Sequence, residues 1–346
     1  MAASLPATTR EVRLVTLPEG LPGSEHFAVV ERPLSAPGPG QVLVRGQYFL
    51  VFPGLRTLIG AQPGAAPLPP IRPDDVLFGP AVGEVVAAGA GSPLQPGDTV
   101  THLLGWREHA LVAAADCTPV GDVLPDPVAH LSSGVAAYGA LTRLADLRPG
   151  DTVLVTGAAG AVGTLAGPVA KLLGAKRIIG TTRSPAKADR LRTELGYDAV
   201  VVPDGHFPTL VEQLSAVAPD GIDLMVDTVG GEQLTAALRV ARRGARVALV
   251  GSLAGQLSPH LDGDRAPAEI DTFRVITQGI TLRGYSGTDH PGVAKEWAAR
   301  FSDWLRSGVL SFPRVRIPGI ERAPQALQEL FEGRHFGTVV VELPPR

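Results

Sequence analysis

The chain has 346 residues, enough for about two domains, and its 45% hydrophobic and 19% charged residues are typical of an ordinary globular protein. Its formal net charge of −3 and single cysteine, Cys117, exclude a strongly basic nucleic-acid or membrane surface, a disulfide framework and a four-cysteine zinc loop. The N-terminal residues contain no apolar signal core, and no stretch approaches the roughly 18 apolar residues of a membrane span. We therefore expect a cytoplasmic protein that binds neither nucleic acid nor membrane.

The first third of the chain has the composition of a β-rich domain. Apolar and β-branched residues form strand-length runs at Val12–Leu17, Phe27–Arg32, Val42–Phe49, Val82–Ala88 and His109–Val112. Proline and glycine clusters at residues 36–40 and 95–98 separate these runs, as expected for turns. The proline-dense residues 63–73 predict a surface loop, either beside the entrance of a site or as an inert linker.

From residue 122 onward, strand-like and helix-like segments alternate. Predicted strands lie at Thr152–Thr156, Arg177–Thr181, Ala199–Val202, Ile222–Asp227, Ala245–Gly251 and Thr281–Arg283. Predicted helices include 161–173 and 292–307, and this alternation indicates a doubly wound parallel sheet. A helix near 323–331 and a strand at 338–343 are expected to return to the first domain. The predicted domains are therefore 1–121 with 308–346, and 122–307.

A glycine-rich turn lies between the first of these later strands and the helix after it. The sequence TVLVTGAAGAVG, which ends at Gly163, has the strand, turn and helix that a dinucleotide-binding fingerprint requires. Gly160 lets the backbone approach a pyrophosphate, and Gly163 lets helix and strand pack closely. Free N–H groups at Ala161 and Val162 can hold the anion. Ala158 occupies the place of the first glycine in the usual pattern, and we predict a dinucleotide site rather than an ordinary tight turn.

The residues after the second of these strands indicate which dinucleotide binds. An NAD site usually carries Asp or Glu about 20 residues beyond the glycines, and none is present here. The chain has hydroxyls and cations instead, namely Thr182, Arg183, Ser184 and Lys187. These groups suit a ribose 2′-phosphate, so we predict NADPH rather than NADH, the alternative being solvated charges at a helix start. Gly251 and Ser252, at another strand end, are predicted to border the ribose and nicotinamide.

Motifs spread over nearly the whole chain resemble one protein family. They lie at residues 38–44 (GPGQVLV), 82–86 (VGEVV), 96–100 (PGDTV), 134–138 (GVAAY), 157–163 (GAAGAVG), 227–231 (DTVGG) and 336–340 (FGTVV). The chain resembles the zinc-independent medium-chain dehydrogenases and reductases, and among them the NADPH-dependent alkenal and enone reductases, the group of prostaglandin and curcumin reductases.

This resemblance implies a GroES-like β-barrel catalytic domain joined to a Rossmann domain, with the site in the cleft between them. It puts Ser184 and Lys187 where that group binds the 2′-phosphate. It also implies a homodimer formed through the last Rossmann strand, near Thr281–Tyr285.

The chain lacks ligands at the positions where zinc-dependent relatives bind their metal. Those relatives carry Gly-His-Glu where this chain has Phe78, Gly79 and Pro80. The place of their zinc-ligand cysteine falls at about Phe49, whose ring cannot ligate a metal. We therefore predict that there is no metal site.

The residues expected around the substrate depart from the alkenal reductases. Where that group has Tyr-Leu-Ser-Val-Asp-Pro-Tyr-Met-Arg, residues 48–56 read YFLVFPGLR and lack the Asp and the second Tyr. Other departures are Gln256 and Pro203 at tyrosine positions and His335 at an asparagine position. An apolar wall that suits a large hydrophobic unsaturated substrate is predicted from Phe49, Phe52 and Leu55.

The chemistry expected without a metal is hydride delivery from NADPH to the β-carbon of an enone or enal. The resulting enolate takes its proton from water or from a phenol, for which Tyr48 and Tyr285 are the candidates because of their places at strand ends. Three alternatives stay open. The first is a reductive cyclase of secondary metabolism, in which the enolate closes a ring. The second is a quinone oxidoreductase, and the third is a non-catalytic NADPH-binding protein.

Overall fold

The computed structural model describes residues 6–60, 68–261 and 263–344. Residues 63–67 of the predicted loop 63–73 lie outside the described residues. Within these ranges the strands, numbered in chain order, are β1 (Thr8–Leu14), β2 (Phe27–Pro33), β3 (Gln41–Val51), β4 (Ala81–Ala88), β5 (Thr99–His102), β6 (His109–Ala113), β7 (Thr118–Pro119), β8 (Thr152–Val155), β9 (Arg177–Thr181), β10 (Ala199–Val201), β11 (Ile222–Asp227), β12 (Ala241–Leu249), β13 (Thr281–Gly284), β14 (Arg314–Pro318) and β15 (Thr338–Glu342).

The helices of the same ranges are α1 (Leu55–Leu58), α2 (Gly134–Gly139), α3 (Gly163–Leu172), α4 (Pro185–Leu195), α5 (Phe207–Val217), α6 (Gly231–Val240), α7 (Leu253–Gln256), α8 (Thr272–Gln278), α9 (Gly292–Arg306) and α10 (Ala323–Phe331). A π-helical turn, Ala140–Leu144, continues α2. Among the described residues, no helix is long and apolar enough to cross a membrane.

The first compact unit contains the described parts of residues 1–131, 314–335 and 339–346. Its main sheet is antiparallel, with the strand order β14-β15-β3-β4-β5-β7, and β6 also pairs with β3. The 11 residues of β3 are long enough to pair with β6 through its first half and with β15 through its second half. Val42 and Val44 of β3 pack against Val85, Val100 and Val112 in an apolar core. We call this unit the β unit.

The second compact unit contains residues 132–313, apart from residue 262, and residues 336–338. Its six parallel strands pair in the order β10-β9-β8-β11-β12-β13. Val153, Leu154 and Val155 of β8 are fully buried, as expected for a central strand covered by helices on both faces. This strand order is that of the dinucleotide-binding doubly wound fold, whose ligands bind at the carboxyl ends of the strands. We call this unit the parallel unit.

The fold class agrees with the prediction, a doubly wound parallel sheet together with a GroES-like antiparallel β domain. The predicted strands of the parallel unit match the observed ones closely, except that β12 begins at Ala241 because this residue pairs with Ile222 across a register shift. The short strands β5, β7 and β14 were not predicted. The compact units divide the chain at 131/132 and 313/314, and the domain limits 1–121, 122–307 and 308–346 stay predictions.

Candidate functional site

A tight turn at the carboxyl end of β8 forms the centre of the candidate nucleotide site. The φ of Gly157 is +58°, which glycine adopts without the strain that other residues meet. The Ala158 N–H donates to the Thr181 carbonyl at 2.8 Å, and the Gly160 N–H donates to the Gly157 carbonyl at 2.9 Å. The turn glycine of this fingerprint is therefore Gly157, one residue before the place to which the sequence pattern assigned Ala158.

The start of α3 packs tightly on this turn and leaves backbone donors free. A Cβ atom on Gly163 would lie 2.5 Å from the Ala158 Cα atom, so only glycine fits there. Within the described part of the chain, no acceptor pairs with the N–H groups of Val162 and Gly163. Gly160 beside them is exposed. Unpaired N–H groups at a helix start can bind an anion, and the anion site at residues 160–163 stays a prediction.

Hydroxyls and cations lie between β9 and α4, next to this turn in the sheet. Ser184 caps α4 by accepting the Lys187 backbone N–H at 3.4 Å, and the Ser184 N–H donates to Thr182 Oγ1 at 3.5 Å. The exposed Arg183 side chain makes no hydrogen bond or ion pair with the described residues. Burial lowers the pKa of the Lys187 ammonium, and the neighbouring Arg183 and Arg190 cations lower it further. Like charges held together in this way favour binding of an anion.

The end of β11 organises the next part of the same sheet edge. The buried Asp227 carboxylate accepts the Thr156 hydroxyl at 2.6 Å and the Gly230 N–H at 3.0 Å. Burial raises the pKa of this carboxyl, and the hydrogen bonds from Thr156 and Gly230 oppose the rise. The Asp227 carbonyl accepts the Gly251 N–H at 3.2 Å, which sets the turn that carries Gly251 and Ser252. Asp227 lies in the motif DTVGG, but the sequence analysis gave it no role.

Residues Phe336–Thr338 join the parallel unit although they are far away in sequence. The Gly337 N–H donates to the Ala159 carbonyl at 2.9 Å, so this segment is hydrogen-bonded to the nucleotide turn. The Arg190 guanidinium lies 4.0 Å from the centre of the Phe336 ring. The motif FGTVV marks this segment in the sequence, but only the folded chain shows that it contacts the turn.

Tyr285 follows β13 in the parallel unit. Its hydroxyl donates to the Val135 carbonyl at 3.4 Å, a long and weak hydrogen bond. Its ring packs so closely on Gly139 that a side chain at that position would overlap it. Burial raises the pKa of the Tyr285 hydroxyl, so this group stays protonated at neutral pH.

Tyr48 belongs to a polar cluster of the β unit. Its hydroxyl donates to Glu342 Oε1 at 2.9 Å, because Tyr48 of β3 and Glu342 of β15 are direct cross-strand partners. The Arg316 guanidinium lies 5.2 Å from the centre of the Tyr48 ring and pairs with Asp126 at 2.7 Å. Burial and the bond to Glu342 raise the pKa of Tyr48. Of the two candidate tyrosine hydroxyls, that of Tyr285 makes the longer hydrogen bond, 3.4 Å against 2.9 Å for Tyr48.

The apolar wall predicted from three residues is mostly core. Phe49 is 1% exposed and packs against Trp106 with the ring centres 5.1 Å apart, and Leu55 is fully buried. Packing within the β unit covers the side chains of Phe49 and Leu55, so they have no exposed surface for a ligand to contact. Only Phe52 keeps partial exposure.

The Phe52 ring occupies the space beside Gly79, one of the positions that the sequence analysis aligned with Gly-His-Glu of the zinc-dependent relatives. A Cβ atom on Gly79 would lie 2.7 Å from Phe52 Cε1. A ligand side chain at Gly79 would therefore collide with the Phe52 ring.

Comparisons with known proteins agree with this geometry. One family model, described as the N-terminal domain of oxidoreductase, matches residues 10–120, and another, described as zinc-binding dehydrogenase, matches residues 161–306. The chain is 29% identical over 344 residues to a putative NADP-dependent oxidoreductase, YfmJ, of Bacillus subtilis, covering 97% of this chain and 98% of that protein. It is 29% identical over 337 residues to the NADPH-dependent curcumin reductase of Escherichia coli, covering 95% of each chain.

A similar solved structure is that of CurA from Vibrio vulnificus in complex with NADPH. It has a TM-score of 0.86 and 27% sequence identity, and the match covers 97% of this chain and 100% of that one.

Proposed function

Because the chain belongs to the medium-chain dehydrogenase/reductase family, we propose that it is an NADPH-dependent, zinc-independent reductase of electron-poor C=C bonds such as those of enones and enals. The observation that carries the proposal is the pairing of two unsatisfied anion sites on one sheet edge. The free N–H groups at the start of α3, which follows β8, suit a pyrophosphate, and the Arg183 cation after the adjacent strand β9 suits a 2′-phosphate.

Three groups of residues along this sheet edge would hold three parts of the cofactor. Gly160, Ala161, Val162 and Gly163 would hold the pyrophosphate, and Thr182, Arg183, Ser184 and Lys187 would hold the 2′-phosphate. Gly251 and Ser252 would border the ribose and the nicotinamide. When bound, NADPH supplies a hydride from its reduced nicotinamide ring.

The substrate chemistry follows from what the protein lacks at the zinc-ligand positions. A conjugated alkene is already polarised by its carbonyl, so it needs alignment and a donor to the developing enolate oxygen more than it needs a Lewis acid. Hydride adds at the β-carbon and a proton adds at the α-carbon, which converts the C=C bond into a saturated bond. Among the candidate side chains of the parallel unit, Tyr285 would donate to the enolate oxygen.

The test is a set of assays with purified protein. NADPH consumption is measured with a panel of enones, enals and quinones, with deuterium-labelled NADPH, and products are analysed by mass and by NMR. The proposal expects turnover of an enone or enal with deuterium at the carbon β, or vinylogously δ, to the carbonyl. Deuterium on a carbinol carbon with the alkene intact would contradict it.

The other outcomes separate the alternatives. A new ring in a product that has gained two hydrogens would identify a reductive cyclase. Turnover of quinones alone would identify a quinone oxidoreductase. NADPH binding without turnover of any compound would favour a binding protein.

A homodimer through β13 is a second part of the proposal. In the described chain, β13 pairs only with β12, so its outer edge offers unpaired backbone groups. Helix α8, just before it, exposes Phe273 (73%) and Ile276 (76%). A second copy of the chain would pair with this edge and cover both side chains around a two-fold axis.

Light scattering tests this assembly. The wild-type protein is expected at twice the mass of one chain, and a variant with Phe273→Glu and Ile276→Glu at the mass of one chain. Val309→Glu, at another exposed apolar residue of the same unit, is the control and should leave the dimer intact. A monomeric wild type would refute the assembly.

A further inference from the structure

A short hydrogen-bond relay joins the nucleotide turn to helix α6. The Gly157 N–H donates to Thr181 Oγ1 at 3.1 Å, and the Thr181 hydroxyl donates to Gln233 Oε1 at 2.6 Å. Thr181, the last residue of β9, is 1% exposed, whereas Gln233, the third residue of α6, is half-buried. Gln233 therefore lies at the carboxyl ends of the central strands, outside every motif that the sequence analysis used.

The relay determines which end of the Gln233 amide faces outward. Thr181 Oγ1 accepts the Gly157 N–H, and the Thr181 hydroxyl donates its proton to Gln233 Oε1. The amide nitrogen of Gln233 makes no hydrogen bond with the described residues. The two N–H groups of the Gln233 amide are therefore free, and its oxygen contacts Thr181, two residues before Arg183 in the chain.

We infer that Gln233 is a further cofactor-binding residue, whose amide N–H groups donate to the 2′-phosphate on the adenosine ribose of NADPH. This inference rests on the proposed function, because it needs NADPH to be the cofactor. A phosphate accepts hydrogen bonds, which matches the free N–H groups of Gln233 and the unpaired guanidinium of Arg183, two residues after the Thr181 that Gln233 contacts. The relay holds the amide in its binding orientation before the cofactor arrives, which lowers the entropy cost of binding.

The alternative role for Gln233 is purely structural, as a support of the Gly157 turn. The two roles predict different dependence on the ligand. A residue that contacts the phosphate affects NADPH and 2′,5′-ADP but hardly affects NADH, whereas a support of the turn affects all three ligands alike.

Affinities for NADPH, NADH and 2′,5′-ADP are measured by titration calorimetry on the full chain. Gln233→Leu is expected to weaken NADPH and 2′,5′-ADP binding about tenfold and to change NADH binding less than about twofold. Gln233→Glu keeps the acceptor for Thr181 and points a negative oxygen outward, so it is expected to weaken the phosphorylated ligands by more than tenfold. Glu232→Leu, at the exposed neighbouring position, is the control for a change at the start of α6.

The results separate this inference from the proposed function. If the wild type binds neither NADPH nor 2′,5′-ADP, both fail. If the wild type binds both ligands and the two Gln233 variants bind them equally well, the inference alone fails. It also fails if Thr181→Val and Gln233→Leu weaken NADPH and NADH by the same factor, because Gln233 then acts only on the turn.

Discussion

The candidate groups of the two units differ in whether the fold has already used them. In the parallel unit, the N–H groups of Val162 and Gly163 and the Arg183 guanidinium have no partner among the described residues. In the β unit, the Tyr48 hydroxyl is bound by Glu342 and the Phe49 ring by Trp106. A binding site for a cofactor keeps polar groups free, so the parallel unit is the one whose site can be named residue by residue.

The largest effect is expected from a substitution that prevents helix α3 from packing closely on the nucleotide turn. Gly163→Val would place carbon atoms within 2.5 Å of the Ala158 backbone, so the turn has to shift and NADPH binding should be lost. Overpacking of this kind also lowers the free energy of unfolding by about 1–3 kcal/mol. Calorimetry and thermal unfolding measure the two effects. Gly287→Ala, where nothing lies within 4 Å of an added Cβ, is the control. Normal NADPH affinity in Gly163→Val would show that the turn does not bind the cofactor.

The β unit has a buried titratable group whose effect depends on pH. His102 is 6% exposed, its Nδ1 accepts the Leu104 N–H at 3.0 Å, and burial, with a contribution from Arg107, lowers its pKa to about 4. The unfolded chain takes up this proton below about pH 6.5 and the folded chain only below about pH 4. The free energy of unfolding should therefore fall by about 3 kcal/mol as the pH is lowered from 6.5 to 4.

Urea unfolding at several pH values measures this dependence. His102→Asn keeps an acceptor for the Leu104 N–H but cannot titrate, so its curve should be flatter than that of the wild type. Equal slopes in the two proteins would mean that another group carries the effect.

Arg183, a cation of the parallel unit with no partner among the described residues, gives the next effect. Arg183→Ala should weaken NADPH binding about tenfold or more, since a charge-assisted hydrogen bond contributes roughly 1.5–3 kcal/mol, and should barely change NADH binding. The wild type should bind NADPH at least about tenfold more tightly than NADH for the same reason. Arg192→Ala is the matched control, because Arg192 lies on α4, the helix that follows Arg183, and is already paired with Asp189 at 2.5 Å. Equal weakening of both cofactors would make Arg183 a structural residue.

Replacing either candidate tyrosine, one from each unit, by Phe should change the free energy of unfolding little. The two variants should differ mainly in turnover. Tyr48→Phe and Tyr285→Phe each remove one hydroxyl and should cost about 1 kcal/mol or less. Tyr285→Phe is expected to lower turnover without changing NADPH affinity, whereas Tyr48→Phe is expected to change neither, because Glu342 holds its hydroxyl. Unchanged turnover in both variants would leave water as the proton donor. Loss of turnover in Tyr48→Phe alone would reverse the assignment.

The predictable part of the site is the part that depends on backbone and local order. Strand β8, the turn and helix α3 follow each other in the chain, so their sequence predicted the unpaired N–H groups at the start of α3, which the structure shows at Val162 and Gly163. Arg183 and Lys187 were predictable because the nucleotide pattern specifies where the second strand ends. The turn glycine, Gly157, lies one residue before the position that the sequence pattern gave, because only the φ of Gly157 shows where the chain reverses.

Other contacts join residues that are far apart in sequence. Gly337 reaches the Ala159 carbonyl and Gln233 reaches Thr181, and neither contact has a local signature. The burial of Phe49 and Leu55 also depends on how the strands of the β unit pack, and an apolar residue in a sequence looks the same in a core as on a pocket wall.

The amino-acid sequence alone therefore determined the alternation of strands and helices, the glycine turn, the preference for a phosphorylated ribose and the absence of ligands at the zinc positions. These properties depend on residue type and on spacing within one strand, turn and helix, which neighbouring residues specify. The tertiary structure decided which polar groups stay free, which aromatic rings are core, and that Gln233 and Gly337 lie at the nucleotide turn. Those properties depend on which side chains meet after the sheets form, and long-range packing rather than local propensity sets them.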